Sequence, residues 1–265
     1  MLDSLSPARR RLVLVVSGLI AALVVVIAAV TVIARDPPVE PAEQDVLGPV
    51  VLVPGYGGNG RSLSELESAL QDAGRDVTIL RLSGDGRGDL AVQAEVLEDA
   101  VDVALERTGA ESVDVVGYSA GGLVARLWVK EYGGDALARR VVTLGSPHHG
   151  TELAGYASDI SADSCPAACE QMAPDSSFLR RLNAQDETPD GPLWVSIWTA
   201  DDTVVSPPSS ARLDGALNFV IQDVCPRNGE LTHSDLPSDP AVIASVIVEV
   251  DRAEPALPVA GDCRA

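Results

Sequence analysis

The segment DVVGYSAGG, residues 114–122, connects a short apolar run to a stretch with the spacing of a helix. Within it Ser119 lies between Gly117 and Gly121, which matches the pattern G-x-S-x-G. When this pattern follows a strand and precedes a helix, it is typical of a sharp turn that presents a nucleophilic serine. An ordinary turn with an unreactive hydroxyl is the alternative. The segment therefore predicts a strand-turn-helix unit of an α/β fold, with Ser119 at the end of the strand.

The rest of the folded chain repeats this alternation of apolar runs and helical patterns. Runs rich in Val, Ile and Leu occur at residues 50–53, 77–82, 113–116, 141–144, 193–198 and 218–222. Helical patterns occur at residues 62–73, 89–107, 121–132 and 240–250. Buried strands separated by helices predict a mostly parallel sheet with helices on both faces. Ligands of such sheets bind at the carboxyl ends of the strands.

The composition fits one large, strongly acidic domain. The chain has 265 residues, which is enough for a full hydrophobic core. It carries 39 acidic and 19 basic residues, a net charge of −20, and Lys130 is its one lysine. Because no basic patch is visible in the folded part, we expect no nucleic acid partner.

The N-terminal part has a different character. Three arginines, Arg9 to Arg11, precede residues 12–34, which are 23 uncharged residues. A helix rises about 1.5 Å per residue, so this segment is long enough for a hydrocarbon core about 30 Å thick. We predict a cytoplasmic segment 1–11, a single transmembrane anchor 12–34 in the cell membrane, and a Pro-rich linker 35–48 to an extracellular domain. A cleaved signal peptide, which would leave a secreted domain, is the alternative.

The domain itself is predicted at residues 49–251, and an insert at residues 151–192 interrupts its alternating pattern. Long irregular inserts in compact domains are often functional, so this one is a candidate cap. We expect the apolar side chains of the insert either to line an acyl site or to form a small core of the insert itself. The second alternative is slightly preferred. These side chains are Ile160, Met172, Phe178, Leu179 and Leu182.

Four cysteines fit an exported domain, because disulfides persist in oxidising surroundings. Of the three possible pairings we predict Cys165–Cys169 and Cys225–Cys263. The second pair would tie a C-terminal tail, residues 252–265, to the domain. A zinc site built from all four cysteines is the alternative, but their spacing is not that of a zinc ribbon.

A nucleophilic serine needs a base, and the base needs a group that orients it. In serine hydrolases with this strand-turn-helix motif the acid and then the histidine follow the serine along the chain. His148 and His149 follow Ser119 too closely for a strand that carries the acid, so we predict His233 as the base. Adjacent histidines cannot share one helix face and no third ligand is evident, so no metal or other cofactor is predicted.

The acid is expected after a strand that lies between the serine and the base. The candidates are Asp201 and Asp202, directly after the run 193–198, and, less favoured, Asp214 and Asp223. By position alone, either of the first two is placed to reach His233.

An attacked ester carbonyl develops negative charge, which two backbone N–H groups stabilise. One is expected from Ala120, the residue after the nucleophile, and the other from Tyr56 in the loop after the first strand. A flexible turn or a phosphate-binding loop is the alternative for this glycine-rich loop, but it lacks the lysine of a P-loop.

Four motifs in this order resemble those of a known family. They are VVLVPGYGG (50–58), VDVVGYSAGGLVAR (113–126), VVTLGSPHHGTELA (141–154) and ADDTVVSP (200–207). Together they resemble secreted bacterial class-2 triacylglycerol lipases of the α/β-hydrolase superfamily, over roughly residues 49–250. The resemblance implies a minimal sheet of about six strands and a Ser-Asp-His triad. It also implies hydrolysis of carboxylic esters, such as acylglycerols, through an acyl-enzyme.

The resemblance also suggests which acid belongs to the triad. In that group the acid precedes an x-V/I-V run and a later L-D-G-A-x-N, so the implied acid is Asp202, and the implied oxyanion donors are Tyr56 and Ala120. Two features depart from the family. Pro54 stands where the smaller lipases have a histidine, and those lipases lack the insert at 151–192.

Other functions remain open with the same residues. An acyltransferase would pass the acyl group to envelope lipids or glycans, and an amidase or peptidase would use the same triad. A non-catalytic binding module would be favoured by a missing triad member. The expected partners are a lipid or ester substrate and, through the N-terminal helix, the membrane; no protein partner is predicted.

Overall fold

The computed structural model describes residues 7–33, 39–58, 60–160, 165–225 and 229–263. These belong to two units: one contains the single helix α1 (Pro7–Ile33), and the other is a domain that begins at Val39. Within the described residues, no helix is both long and apolar enough to cross a membrane. The prediction of a transmembrane anchor at residues 12–34 is therefore not supported. Residues 1–6 and 34–38, which belong to the predicted N-terminal segment, anchor and linker, lie outside the described residues.

The domain is built on one sheet of six strands, all of them parallel. The strands are β1 (Val50–Val53), β2 (Val77–Ile79), β3 (Val113–Tyr118), β4 (Ala138–Leu144), β5 (Leu193–Trp198) and β6 (Leu217–Val220). Their order across the sheet is β2-β1-β3-β4-β5-β6. β2 lies on one side of β1, and β3 with the strands that follow it lies on the other side. The strand order therefore reverses between β1 and β3. Ligands of open α/β sheets bind at the carboxyl ends of strands at such a point.

Helices connect most of the strands where the sequence pattern predicted them. Their bounds are α2 (Ser64–Asp72), α3 (Leu90–Thr108), α4 (Ala120–Glu131), α5 (Gly134–Leu137), α6 (Glu152–Ile160), α7 (Ala167–Gln171), α8 (Ser177–Leu182), α9 (Ile221–Val224) and α10 (Pro240–Asp251). The start of α10 follows from its sequence, because Pro240 occupies the first turn and Asp239 accepts hydrogen bonds from the first amides. The predicted strand at 218–222 ends earlier, at Val220, since α9 begins at the next residue.

The strands are apolar on both faces because helices cover both faces. Along β1, Val51 and Val53 belong to the core that contains residues of α3 and α4, whereas Val50 and Leu52 belong to the core with α2 and α10. All four side chains are fully buried. Successive residues of a strand point to opposite faces, so a continuous apolar run supplies both cores.

The insert is more regular than its sequence indicated, because α6, α7 and α8 lie within it. Residues 161–164 of the insert lie outside the described residues. Disulfides join Cys165 to Cys169 and Cys225 to Cys263, which confirms both predicted pairs and excludes a zinc site of four cysteines.

Candidate active site

The turn after β3 holds Ser119 in an unusual backbone conformation. Its φ of 54° and ψ of −124° lie outside the regions that residues with a side chain ordinarily adopt. The Ser119 amide donates a hydrogen bond to the carbonyl oxygen of Leu144 at 2.8 Å, which fixes the turn to the end of β4. Backbone strain of this kind costs about 1–3 kcal/mol and persists where the surroundings enforce it. The strained turn presents the serine, which is partly exposed, at the carboxyl edge of the sheet.

Close packing explains the two glycines of the motif. A Cβ on Gly117 would lie 2.6 Å from the Cα of Gly122, and a Cβ on Gly121 would lie 2.2 Å from the carbonyl oxygen of Val53. Real side chains do not tolerate such distances, so any larger residue would push α4 away from the sheet.

The structure brings Ser119, His233 and Asp202 into one hydrogen-bonded chain. The Nε2 of His233 lies 3.0 Å from the Ser119 hydroxyl oxygen, and its Nδ1 lies 2.7 Å from Oδ2 of Asp202. A carboxylate accepts hydrogen bonds, so Nδ1 donates, and Nε2 is left to accept from the hydroxyl. His233 and Asp202 are buried, with exposed fractions of 5% and 4%.

The two neighbouring aspartates have different partners. The second oxygen of Asp202, Oδ1, accepts hydrogen bonds from the amides of Val204 and Val205 at 2.9 and 2.8 Å. Asp201 instead accepts from the amide of Leu231 and the side chain of Gln222. Among the described residues, Asp202 is the carboxylate bonded to the His233 ring.

Two residues that the sequence did not single out support His233. The Tyr118 hydroxyl donates a hydrogen bond to the His233 carbonyl oxygen, and burial raises the pKa of that tyrosine, as do the charges of Asp202 and Asp235. Gly145 lies against the ring, because a Cβ there would be 3.2 Å from His233 Nδ1. Tyr118 occupies the first variable position of the G-x-S-x-G motif, so the sequence could have indicated it. The contact of Gly145 depends on long-range packing.

The other two histidines lie apart from this chain of hydrogen bonds. His148 is fully buried, with Nε2 at 3.1 Å from the Thr143 hydroxyl, and burial lowers its pKa well below 6.5. His149 is exposed and pairs with Glu187 at 2.8 Å. The two histidines thus have different partners, and no cluster of three potential metal ligands occurs in the described part of the chain.

The predicted oxyanion donors flank the serine. Ala120 is the first residue of α4, so its amide has no acceptor within the helix. The loop after β1 lies directly against Ser119, since a Cβ on Gly55 would be 2.9 Å from the Cβ of Ser119. The loop makes a tight turn, in which the Gly58 amide donates a hydrogen bond to the Gly55 carbonyl oxygen. Tyr56 lies within this turn and therefore beside Ser119.

An apolar cavity of about 260 Å³ opens at Ser119. Besides Ser119 and Tyr56, its walls include Pro147, Ala154, Met172 and Val204. Of the five apolar side chains that the sequence assigned to an acyl site or a small core, Met172 lines this cavity, whereas Phe178, Leu179 and Leu182 are buried in the main core. The side chain of Ile160 lies outside the described residues. The insert therefore contributes to both the cavity and the core.

Comparison with known proteins agrees with the geometry. A family model described as alpha/beta hydrolase fold matches residues 48–160. The chain is 34% identical over 125 residues to a triacylglycerol lipase of Pseudarthrobacter phenanthrenivorans. The matched segment covers 42% of this chain and 37% of that lipase. It is 33% identical over 125 residues to a triacylglycerol lipase of Burkholderia plantarii, covering 42% of this chain and 33% of that protein. The matches thus span about a third of the length of these lipases.

Solved structures share the fold over most of the domain. Aspergillus fumigatus lipase B has a TM-score of 0.66 at 19% identity, over 80% of this chain and 54% of that one. Mature Bacillus licheniformis lipase BlEst2 has a TM-score of 0.57 at 19% identity, over 76% of this chain and 90% of that one. The predicted resemblance to lipases and esterases is confirmed. The chain thus has an α/β-hydrolase fold, and over about two fifths of its length it is similar to triacylglycerol lipases.

Proposed function

We propose that the chain is a serine hydrolase of carboxylic esters in which Ser119 is the nucleophile, His233 the base and Asp202 the orienting acid. The observation that carries this proposal is the hydrogen-bonded chain of these three side chains at the mouth of an apolar cavity. The similarity to triacylglycerol lipases favours lipid esters as the substrate class.

In the first half of the reaction, the Ser119 oxygen attacks the ester carbonyl carbon while Nε2 of His233 takes the hydroxyl proton. The buried carboxylate of Asp202 stabilises the imidazolium that forms, and its own two amide hydrogen bonds hold it in place. The imidazolium then gives its proton to the leaving alcohol, and the acyl group remains on Ser119.

The second half reverses these roles with water. His233 takes a proton from water, the resulting nucleophile attacks the acyl-serine, and the carboxylic acid leaves as Ser119 regains its proton. In both halves the amides of Tyr56 and Ala120 hold the oxyanion. Loss of one such donor costs about 2.7–4 kcal/mol of transition-state stabilisation in a comparable site.

The apolar cavity suits the acyl chain rather than the alcohol. Its volume is about 260 Å³. At about 30 Å³ for a water-sized group, this holds an acyl chain of medium length. Exposed apolar side chains of α6, Leu153 and Tyr156, lie on the same helix as the cavity residue Ala154.

The test measures hydrolysis of p-nitrophenyl esters from acetate to palmitate by the full-length protein. We expect an optimum near octanoate and a loss of at least about 10⁴-fold for Ser119→Ala, as for other catalytic serines. Ser64→Ala, which alters an exposed serine at the start of α2, is the matched control. Equal rates for the wild type and Ser119→Ala would reject the proposal. Ester cleavage that accelerates on adding a lipid or glycan alcohol would favour the acyltransferase instead.

The proposal also includes an extracellular location. Two disulfides support it, because such bonds persist in oxidising compartments. Attachment to the cell membrane through residues 12–34 stays a prediction. Digestion of intact cells by an added protease tests the location, since an extracellular domain is cleaved and an intracellular one is protected.

A further inference from the structure

The loop after β1 lies between two cavities of different character. Tyr56 lines the apolar cavity with Ser119, whereas the next two residues, Gly57 and Gly58, line a larger cavity of about 780 Å³. Glycines and polar side chains, including Arg81 and Asp85, make up much of its wall. An ester with an acyl chain on one side and a polar alcohol on the other matches this arrangement.

Arg87 packs against Tyr56, which lines the apolar cavity, and against Gly57, which lines the larger one. Its guanidinium carbon is 5.6 Å from the centroid of the Tyr56 ring. Its Nε would lie 3.1 Å from a Cβ at position 57, so Gly57 leaves room for the guanidinium. The Gly57 amide donates to the Gly86 carbonyl at 3.0 Å, which fixes Arg87 beside the oxyanion loop.

The charge of Arg87 is not neutralised by a neighbouring carboxylate in the described part of the chain, where the ion pairs involve other arginines. The two acids nearest in sequence have other partners, since Asp85 Oδ1 accepts from the Arg87 backbone amide and Asp89 Oδ1 accepts from the Ala91 amide. The Arg87 side chain is exposed, so its guanidinium is accessible to a ligand. A guanidinium presents several N–H donors in a planar fork that matches the oxygens of a phosphate.

We infer that Arg87 binds a phosphate on the alcohol side of the ester, so that the enzyme prefers acyl esters of phosphorylated alcohols over neutral acylglycerols. This inference rests on the proposed hydrolysis at Ser119, and it names the substrate class. The acyl chain occupies the apolar cavity, and the phosphorylated alcohol leaves from the side of Gly57. Arg87 is thereby a residue that determines specificity.

The test compares two substrates that differ only in the phosphate, monooctanoylglycerol and its phosphate monoester. We expect wild-type kcat/KM to be about tenfold higher for the phosphate ester, the order that one charge-assisted hydrogen bond contributes. Arg87→Gln should bring this ratio close to one, Arg87→Lys should retain part of it, and added salt should reduce it. Arg180→Gln, which removes an exposed arginine of α8, is the matched control and should keep the wild-type ratio.

A binding measurement separates this inference from the proposed chemistry. Calorimetry with Ser119→Ala should show tighter binding of the phosphate ester than of the neutral ester, and the additional change Arg87→Gln should abolish the difference. That result, together with no hydrolysis of either ester by the wild type, would reject the proposed function and retain the phosphate site. Hydrolysis of both esters with equal kcat/KM and equal binding would overturn the inference alone. An Arg87→Gln variant that slows both esters but keeps the wild-type ratio would also overturn it, because Arg87 would then only support the loop.

Discussion

The hydroxyl of Tyr118 donates a hydrogen bond to the backbone carbonyl oxygen of His233 at 3.2 Å, and the two rings lie 5.2 Å apart. The residue before the proposed nucleophile thus fixes the proposed base. Because 115 positions separate the two residues, this contact ties the strand end to the late loop that carries the histidine.

Tyr118→Phe should slow catalysis while the ring contact is retained. Loss of the hydroxyl leaves the His233 carbonyl without this donor, which should lower the free energy of unfolding by about 1 kcal/mol. We also expect kcat to fall by about tenfold with little change in KM, since misplacement of a catalytic group by 1 Å costs up to about 100-fold. Tyr132→Phe removes a hydroxyl at the opposite end of α4 and serves as the control. A Tyr118→Phe variant that is less stable but has wild-type kcat would show that the contact is structural only.

The adjacent aspartates provide a matched pair of substitutions. Asp202→Asn should lower kcat by about 10⁴-fold, because the amide favours the wrong tautomer of the histidine. Asp201→Asn should act mainly on stability, since Asp201 holds the Leu231 amide and the Gln222 side chain rather than the ring. Measuring kcat and the thermal unfolding temperature of both variants tests this assignment. A larger loss of kcat for Asp201→Asn than for Asp202→Asn would reverse the assignment.

The contact between His149 and Glu187 should stabilise the fold over a limited range of pH. The hydrogen bond that the His149 ring donates to Glu187 raises the pKa of His149 above 6.5, although burial opposes the shift. Burial alone would raise the pKa of Glu187, but hydrogen bonds from His149 and the Asp214 amide lower it below 4.5. A raised histidine pKa stabilises the folded state below the unfolded value, and the contribution is lost as the pH rises through the folded value. For the carboxylate, the contribution is present above the unfolded pKa and is lost as the pH falls through the folded one.

The pH dependences of His149 and Glu187 together predict that their contact stabilises the folded state most between pH 4.5 and 6.5. Denaturant unfolding should therefore show the largest difference between the wild type and His149→Gln in that range and a smaller difference at pH 9. The effect should stay within about 1 kcal/mol, since the histidine is exposed and solvent screens the pair. A difference that grows from pH 6 to pH 9 would contradict this account.

Much of the sheet could be predicted because its strands are buried on both faces. Runs such as 50–53 and 193–198 have no polar alternation, and their lengths match β1 and β5. The strand at 77–82 was predicted too long, since the structure ends β2 at Ile79, before Arg81 and Leu82. Two helices of the insert, α7 and α8, were missed because they have only 5 and 6 residues, too few for a periodic pattern to be visible.

The site was predictable to different degrees. Ser119 follows from a local motif and His233 from chain order, but by position alone Asp201 and Asp202 are equivalent. Their distinction depends on which carboxylate turns toward the ring, which only the folded loop fixes. Gly145 and Arg87 contact the site from distant parts of the chain, so no local pattern could have indicated either of them.

The central claim is that Ser119 carries the acyl group during ester hydrolysis, and trapping that intermediate tests it most directly. Mixing the protein with p-nitrophenyl octanoate, quenching in acid and mapping peptides by mass spectrometry would locate the octanoyl group. We predict an octanoyl adduct on the peptide that contains Ser119, formed with a burst of p-nitrophenol and absent from Ser119→Ala. Continued turnover with the octanoyl group on another residue, or an undiminished burst from Ser119→Ala, would contradict the account.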